Sequence, residues 1–388
     1  MRKITRTIWL LSFISLFADI ASEMLYPVMP LYLTSIQFST ISIGILEGFA
    51  EALAGLSKGY FGKLSDATSK RAPFIKWGYA LSSVSKPMMA LFTYPAWIFI
   101  SRCLDRFGKG LRTGARDAML SDEATEETKG RVFGFHRSMD TLGAAIGPIL
   151  ALLYLYIQPA DYKTLFIIAI IPGIITISLS AFIRDKHKKT AIDSNTTSLL
   201  SFLKYWRQAS PAYRKVVSGL LLFTFFNSSD VFLLLQVKQT GLDDTYTIGI
   251  YVFYNIIYAA FAYPLGILAD KIGLKSMLIA GYFLFAFVYA AMSINTNTML
   301  FIAIFFAYGL YAAATEGISK AWITNIAGKH DKATAIGTFT AFQSICTMFA
   351  SSLTGLLWYY YGSSIALLIT SIATAYVAIY FSFINLKK

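Results

Sequence analysis

Charge is scarce in this sequence. Only 14% of its 388 residues are Asp, Glu, Lys or Arg, against about 25% in an ordinary soluble domain. With 56% of the residues hydrophobic, there is too little polar side chain to clothe a water-soluble surface. Cysteine is nearly absent: Cys103 and Cys346 lie far apart, which excludes a disulfide framework. His136, His187 and His330 are dispersed and give no zinc-ligand spacing. No nucleotide loop, metal-ligand motif or nucleophile elbow occurs, so an enzyme is not expected. The net charge of +13 is no sign of a nucleic-acid partner. Its basic residues fall in short gaps between apolar segments rather than on one polar domain.

Apolar segments dominate instead, with a mean hydropathy of +0.57. Segments long enough to cross about 30 Å of hydrocarbon recur near 7–32, 41–64, 73–94, 96–120, 131–157, 163–184, 213–238, 246–269, 275–293, 297–325, 333–359 and 363–384. The fourth and tenth are the weakest by hydropathy because they carry internal polar residues. No small-residue cleavage site follows the basic start, so the first run reads as a retained helix rather than a signal peptide.

Arg2, Lys3 and Arg6, then Lys70, Arg71 and Lys76, Lys271 and Lys275, Lys329 and Lys332, and Lys387 and Lys388 occupy alternate gaps. The gaps LTSIQFST, FTYPA, SINTNT and YYYGSS hold no Lys or Arg. Basic loops stay cytoplasmic, which places both termini inside. The long basic gap after the sixth segment divides the chain into bundles 1–184 and 213–388 around a linker, 185–212, in which SFLKYW has the pattern of an interfacial helix. Two echoes relate the halves: GKLSDATSKR from Gly62 and GILADKIGLK from Gly266, and the Gly134-Phe135 and Gly337-Thr338 pairs. Paired six-helix halves suggest a solute site near the midplane, reached alternately from each side.

These features resemble the major facilitator superfamily of secondary transporters over nearly the whole chain. Gly62, Leu64 and Asp66 match its signature G-x-L-A-D-R-x-G-R-K. Ala67 and Ser69 replace the arginine and glycine, and Lys70-Arg71 keep the basic end. The second copy is fuller: Gly266, Leu268, Ala269, Asp270, Lys271, Gly273 and Lys275. The resemblance implies an all-α membrane protein of twelve helices in two pseudo-symmetric six-helix bundles, gated at these signatures. Arg102 to Gly108 is similar to a family element implicated in proton transfer, without its usual glutamine. Gly143, Gly147 and Pro148 resemble the core of an antiporter element, and equally fit a close helix contact with a proline bend.

An ion in hydrocarbon costs at least a few kcal/mol, so the charges inside these segments mark a wet interior. Asp19 with Glu23, and Glu47 with Glu51, are one helical turn apart and are the proton-coupling candidates. They equally suit permanent pairing with Arg102, Arg106 and Lys109, which with Asp105 form one face of the fourth helix. Free of such pairing, those cations would clamp an anionic group. Lys58 and Lys86 are placed where they would snorkel to the interface. Arg112 and Arg116, with Arg71, His136 and Asp140, are expected at the gate, Asp140 pairing with Arg112 or Arg116. In the second half the substrate-binding candidates are Asp230, Tyr254, Tyr308, Tyr311, Glu316 and Gln343, with Glu316 and Lys320 read as a self-contained pair.

The expected function is proton-coupled alternating-access transport of a small amphipathic organic solute, with export favoured. The alternatives are uptake of an anionic metabolite, and an uncoupled facilitator or lipid flippase. The proton gradient is the expected driving force, with no cofactor. The expected setting is a monomer among the lipids of a bacterial cytoplasmic membrane.

Overall fold

The computed structural model describes residues 4–26, 28–38, 40–185, 201–227, 230–242, 244–295, 297–328 and 330–384. The described residues are helical and contain no strand. The first six spans are α1 (Arg6–Leu25) with α2 (Met29–Ser35), α3 (Thr40–Thr68), α4 (Ala72–Leu91), α5 (Pro95–Asp122), α6 (Lys129–Ile157), and α7 (Tyr162–Ile168) with α8 (Ile170–Ala181). Within the linker, SFLKYWRQ forms α9 (Ser201–Gln208), the helical one of the two readings open to it, the other being an unstructured tether. The other six spans are α10 (Pro211–Phe226) with α11 (Val231–Gln239), α12 (Asp244–Ile272), α13 (Leu274–Ile294), α14 (Thr298–Ile326), α15 (Lys332–Tyr361) and α16 (Ser363–Phe383).

The twelve expected spans are therefore found, three of them broken in two. The sixth breaks at Ala169 and ends at Ala181 rather than 184. The tenth is stronger than its sequence reading: an 18-residue stretch of α14 has a mean hydropathy of 1.8. By contrast, α5 is not among the helices apolar enough to cross on composition alone, because its charged stripe must be sheltered by protein.

Local chemistry sets the helix ends. Ser210 accepts from the Tyr213 backbone N–H at 3.1 Å ahead of Pro211, a side-chain cap followed by a residue with no N–H to leave unsatisfied. Between α12 and α13 the chain turns on Gly273 alone, at φ 94° and ψ 139°, a region only glycine occupies cheaply. Ser69 stands at the corresponding place in the first signature and is itself left-handed, at φ 52°. Gly273→Ala should therefore cost about 1–3 kcal/mol of stability, seen as a lower unfolding midpoint. An unchanged midpoint would mean that the turn does not depend on glycine.

The chain forms two compact units. The first comprises residues 1–123, 139–208 and 328–341; the second comprises 124–138, 209–327 and 342–388. α6 and α15 each start in one unit and finish in the other.

In the first unit, Met24, Leu25, Val28, Tyr32, Met89, Leu165 and Phe166 form an apolar core, and Tyr32 donates to the Met89 carbonyl at 2.6 Å. Glycines allow close helix contact. A Cβ on Gly108 would lie 2.6 Å from the Gly78 carbonyl oxygen, and one on Gly147 would lie 2.6 Å from the Met24 nitrogen. Gly143 likewise faces Leu16 and Asp19 of α1, while Pro148 lies inside α6. The observed geometry is thus a close α1–α6 contact of the small-residue kind.

The second unit is built on packed rings. Phe285 stacks on Tyr289 with centroids 4.1 Å apart, and Phe223 on Tyr282 at 4.4 Å. Both units expose large apolar side chains, including Leu153, Tyr156, Ile174, Phe287 and Ile372, as a lipid-facing surface requires.

Candidate functional site

The charged stripe of α5 is the centre of the first unit. Arg102, Asp105, Lys109, Arg112 and Arg116 follow one another at intervals of three and four, the spacing of one helix face. Asp105 is its hub. Oδ1 accepts from Ser82 Oγ at 2.6 Å and from Lys86 Nζ at 3.0 Å, and Oδ2 accepts from Arg102 Nη1 at 3.4 Å. Lys86 Nζ also donates to the Ser82 carbonyl at 2.7 Å and to Ser82 Oγ at 2.9 Å.

Lys86 is only 3% exposed, so it does not snorkel. Its ammonium turns inward to a carboxylate and two serine oxygens, which suit it better than an interfacial position. The overlooked signal was Ser82, Ser85 and Lys86, a polar face at helical spacing in a segment otherwise read as apolar.

A recess in this unit is lined by Ser22, Glu23, Tyr26, Met29, Ser82, Lys86, Met89, Arg102, Asp105, Arg106 and Lys109. Four cations and two acids thus line one hollow, with Leu25, Met29 and Met89 as its apolar part. Glu51 lies nearby, 3.8 Å from Arg106 Nη1 and half exposed. The side chain of Glu47 lies outside the described residues.

Along the same stripe, the carboxyl group of Asp19 lies beside that of Asp140 and within the fields of Lys109 and Glu23. Arg116 reaches Asp140 at 4.0 Å, Asp117 at 2.9 Å and Ser15 Oγ at 3.0 Å. The Arg116–Asp140 approach agrees with the expected pairing. Arg112 lies over the Tyr79 ring, 4.2 Å from its centroid. Arg112 is 3% exposed and Arg116 7%, so both lie in the sheltered polar interior.

The two signature aspartates sit on helix starts. Asp66 Oδ2 accepts from the Thr334 N–H at 2.6 Å and from Thr334 Oγ1 at 2.8 Å, at the start of α15. Its Oδ1 accepts from Arg71 Nη1 at 2.9 Å. Arg71 Nε continues to Asp122 at 3.1 Å, and Asp122 also accepts from Lys332 Nζ at 2.8 Å.

Asp185, unremarked from the sequence, accepts from the backbone N–H groups of Arg71 and Ala72 at 2.8 and 3.0 Å. In the second unit, Asp270 accepts from the N–H groups of Gly130 and Arg131 at 2.7 and 2.9 Å, at the start of α6. A carboxylate is favoured at the positive end of a helix dipole.

Gly62 and Gly266 admit these contacts: the first faces the Ala333 carbonyl and the second that of Gly130, each with no room for a Cβ. Lys271 is exposed, while His136 is buried at the start of α6.

The other second-unit candidates fall into two groups. Asp230 accepts from Tyr308 Oη at 2.6 Å, and Tyr254 and Tyr311 stack on Tyr308 at 4.9 and 5.4 Å. These three tyrosines are buried in the ring stack. Glu316 is engaged by Arg137, which also donates to Tyr258 Oη. The reading of Glu316 as self-contained with Lys320 is thus corrected: a guanidinium from another helix supplies a charge-assisted bond. Gln343 is half-buried.

Comparisons with known proteins agree with this architecture. The Major Facilitator Superfamily profile matches residues 11–257 and 235–387. An uncharacterized MFS-type transporter of Methanocaldococcus jannaschii is 30% identical over 380 residues, covering 95% of this chain and 94% of its own. The human organic anion transporter MFSD10 superposes with a TM-score of 0.79 at 13% identity, over 97% of this chain and 99% of its own. The Escherichia coli fucose:proton symporter superposes with a TM-score of 0.78 at 12% identity, over 98% of each chain. The chain therefore belongs to the major facilitator superfamily, as a multi-pass membrane protein that moves small solutes by secondary transport and is not an enzyme.

Proposed function

We propose that this transporter carries a small organic anion, the anionic-metabolite alternative, in preference to the export of an amphipathic solute. One observation carries the reading: Lys86, Arg102, Arg106 and Lys109 line one recess whose acids, among the described residues, are Glu23 and Asp105. A guanidinium offers a carboxylate two parallel hydrogen bonds, stronger in a sheltered recess than in bulk water. The human organic anion transporter's fold is compatible with such a cargo.

Coupling to protons forms part of the proposal. Asp19 and Asp140 bring two carboxyl groups together beside Lys109 and Arg116, a place where a proton can be taken up and released. Uptake with protons is the working direction. Breaking the Asp66 and Asp270 contacts at the helix starts is the proposed step that opens the cytoplasmic side.

The test is transport into proteoliposomes of labelled succinate and citrate, with glucose as a neutral control, under an imposed inward-directed proton gradient. Accumulation of a carboxylate but not of glucose is expected. Arg106→Ala should lower uptake of that carboxylate on the order of tenfold, the value of one charge-assisted bond. Gradient-driven movement outward would reverse the direction, and equal handling of glucose would sink the anion reading.

A further inference from the structure

Resting on the reading of the recess as an anion site, we infer that Asp105 is a tethered stand-in for the substrate's anionic group. In the structure its two oxygens hold both an ammonium and a guanidinium, Lys86 at 3.0 Å and Arg102 at 3.4 Å. Those two cations line the recess that an incoming carboxylate would enter. Each oxygen is differently committed. Oδ1 is fixed by Lys86 and by Ser82 Oγ at 2.6 Å, whereas the Arg102 contact of Oδ2 is long.

Of the two cation contacts of Asp105, the one to Arg102 is therefore the one a substrate can displace without disturbing Lys86. In that contact the guanidinium exchanges one carboxylate for another. Two consequences follow. With the site empty, Asp105 keeps the positive recess from holding stray anions tightly. With the site loaded, its return to Arg102 helps to expel the cargo. A transporter needs this second property, because a ligand bound too firmly is not released.

The experiment uses the full-length protein purified in detergent, with calorimetric titration of acetate, succinate and citrate, followed by proteoliposome transport of whichever binds. Asp105→Asn removes the competing charge. It should bind the same carboxylate about tenfold more tightly, within the range of ordinary coupling energies. In transport, its KM should fall and its maximal rate should fall with it. A merely structural aspartate would instead weaken binding or leave it unchanged.

Asp105→Asn strips Lys86 of its charged partner, so folding is checked by the unfolding midpoint. Ser82→Ala keeps every charge and removes the hydroxyl that holds Oδ1 and accepts from Lys86 Nζ. With its tether loosened, Asp105 competes harder for Arg102, so carboxylate binding should weaken a few-fold, from the loss of neutral hydrogen bonds. If the wild type binds a carboxylate, and a folded Asp105→Asn does not bind it more tightly or Ser82→Ala does not bind it more weakly, this inference fails while the anion reading stands. If neither the wild type nor the variants bind any of the three, both fail.

Discussion

Asp66→Ala is expected to reduce transport on the order of 100-fold, about 3 kcal/mol, while leaving substrate affinity within about a factor of two. The size follows from what the carboxylate does. It accepts from the Thr334 N–H and hydroxyl with one oxygen and from Arg71 with the other. Through Arg71 it is linked to Asp122 and Lys332. Alanine leaves a buried N–H and a guanidinium without this acceptor and removes the charge from the α15 dipole. None of its partners lines the recess, so binding should survive.

Asp270→Ala should cost less, about tenfold, because Asp270 accepts from two neutral amides. Measuring turnover and equilibrium binding in parallel separates the two effects. Wild-type turnover in Asp66→Ala would remove it from the gate. A larger loss in Asp270→Ala would overturn the proposed ranking.

Lys86→Met should be the most destabilising single change at the recess, by about 3 kcal/mol. Lys86 supplies the ammonium nearest to Asp105, and the Arg102 contact at 3.4 Å is a poor replacement. Burying the remaining carboxylate beside Ser82 and a weakly held guanidinium costs more than burying the matched pair. The double variant Lys86→Met/Asp105→Leu should recover most of that stability, since two apolar side chains bury cheaply together. It should nevertheless bind carboxylates more weakly than the wild type, having lost one of the four recess cations. Unfolding midpoints of the two singles and the double complete the cycle. A Lys86→Met protein as stable as the wild type would show that the pair contributes nothing to the fold.

Helix count, the presence of a charged interior and the two signatures were legible because each depends on a one-dimensional cost. Hydrocarbon penalises every charge and every unsatisfied backbone group regardless of which neighbour it meets. Segment length, loop charge and the stripe from Arg102 to Arg116 therefore carry their meaning along the chain. The Gly273 turn is of the same kind, since its backbone angles exclude other residues locally.

Partnership across helices was decided by tertiary structure. Lys86 reads as a snorkelling lysine until Asp105 of the next helix is placed against it. Glu316 reads as self-contained with Lys320 until Arg137, far earlier in the chain, is placed against it. Arg112 and Arg116 share a face of α5, but their contacts with Tyr79 and Ser15 come from other helices. Sequence spacing specifies which side chains share a face of one helix. It does not specify which face of another helix that face meets, because such contacts depend on how close-packed surfaces fit together.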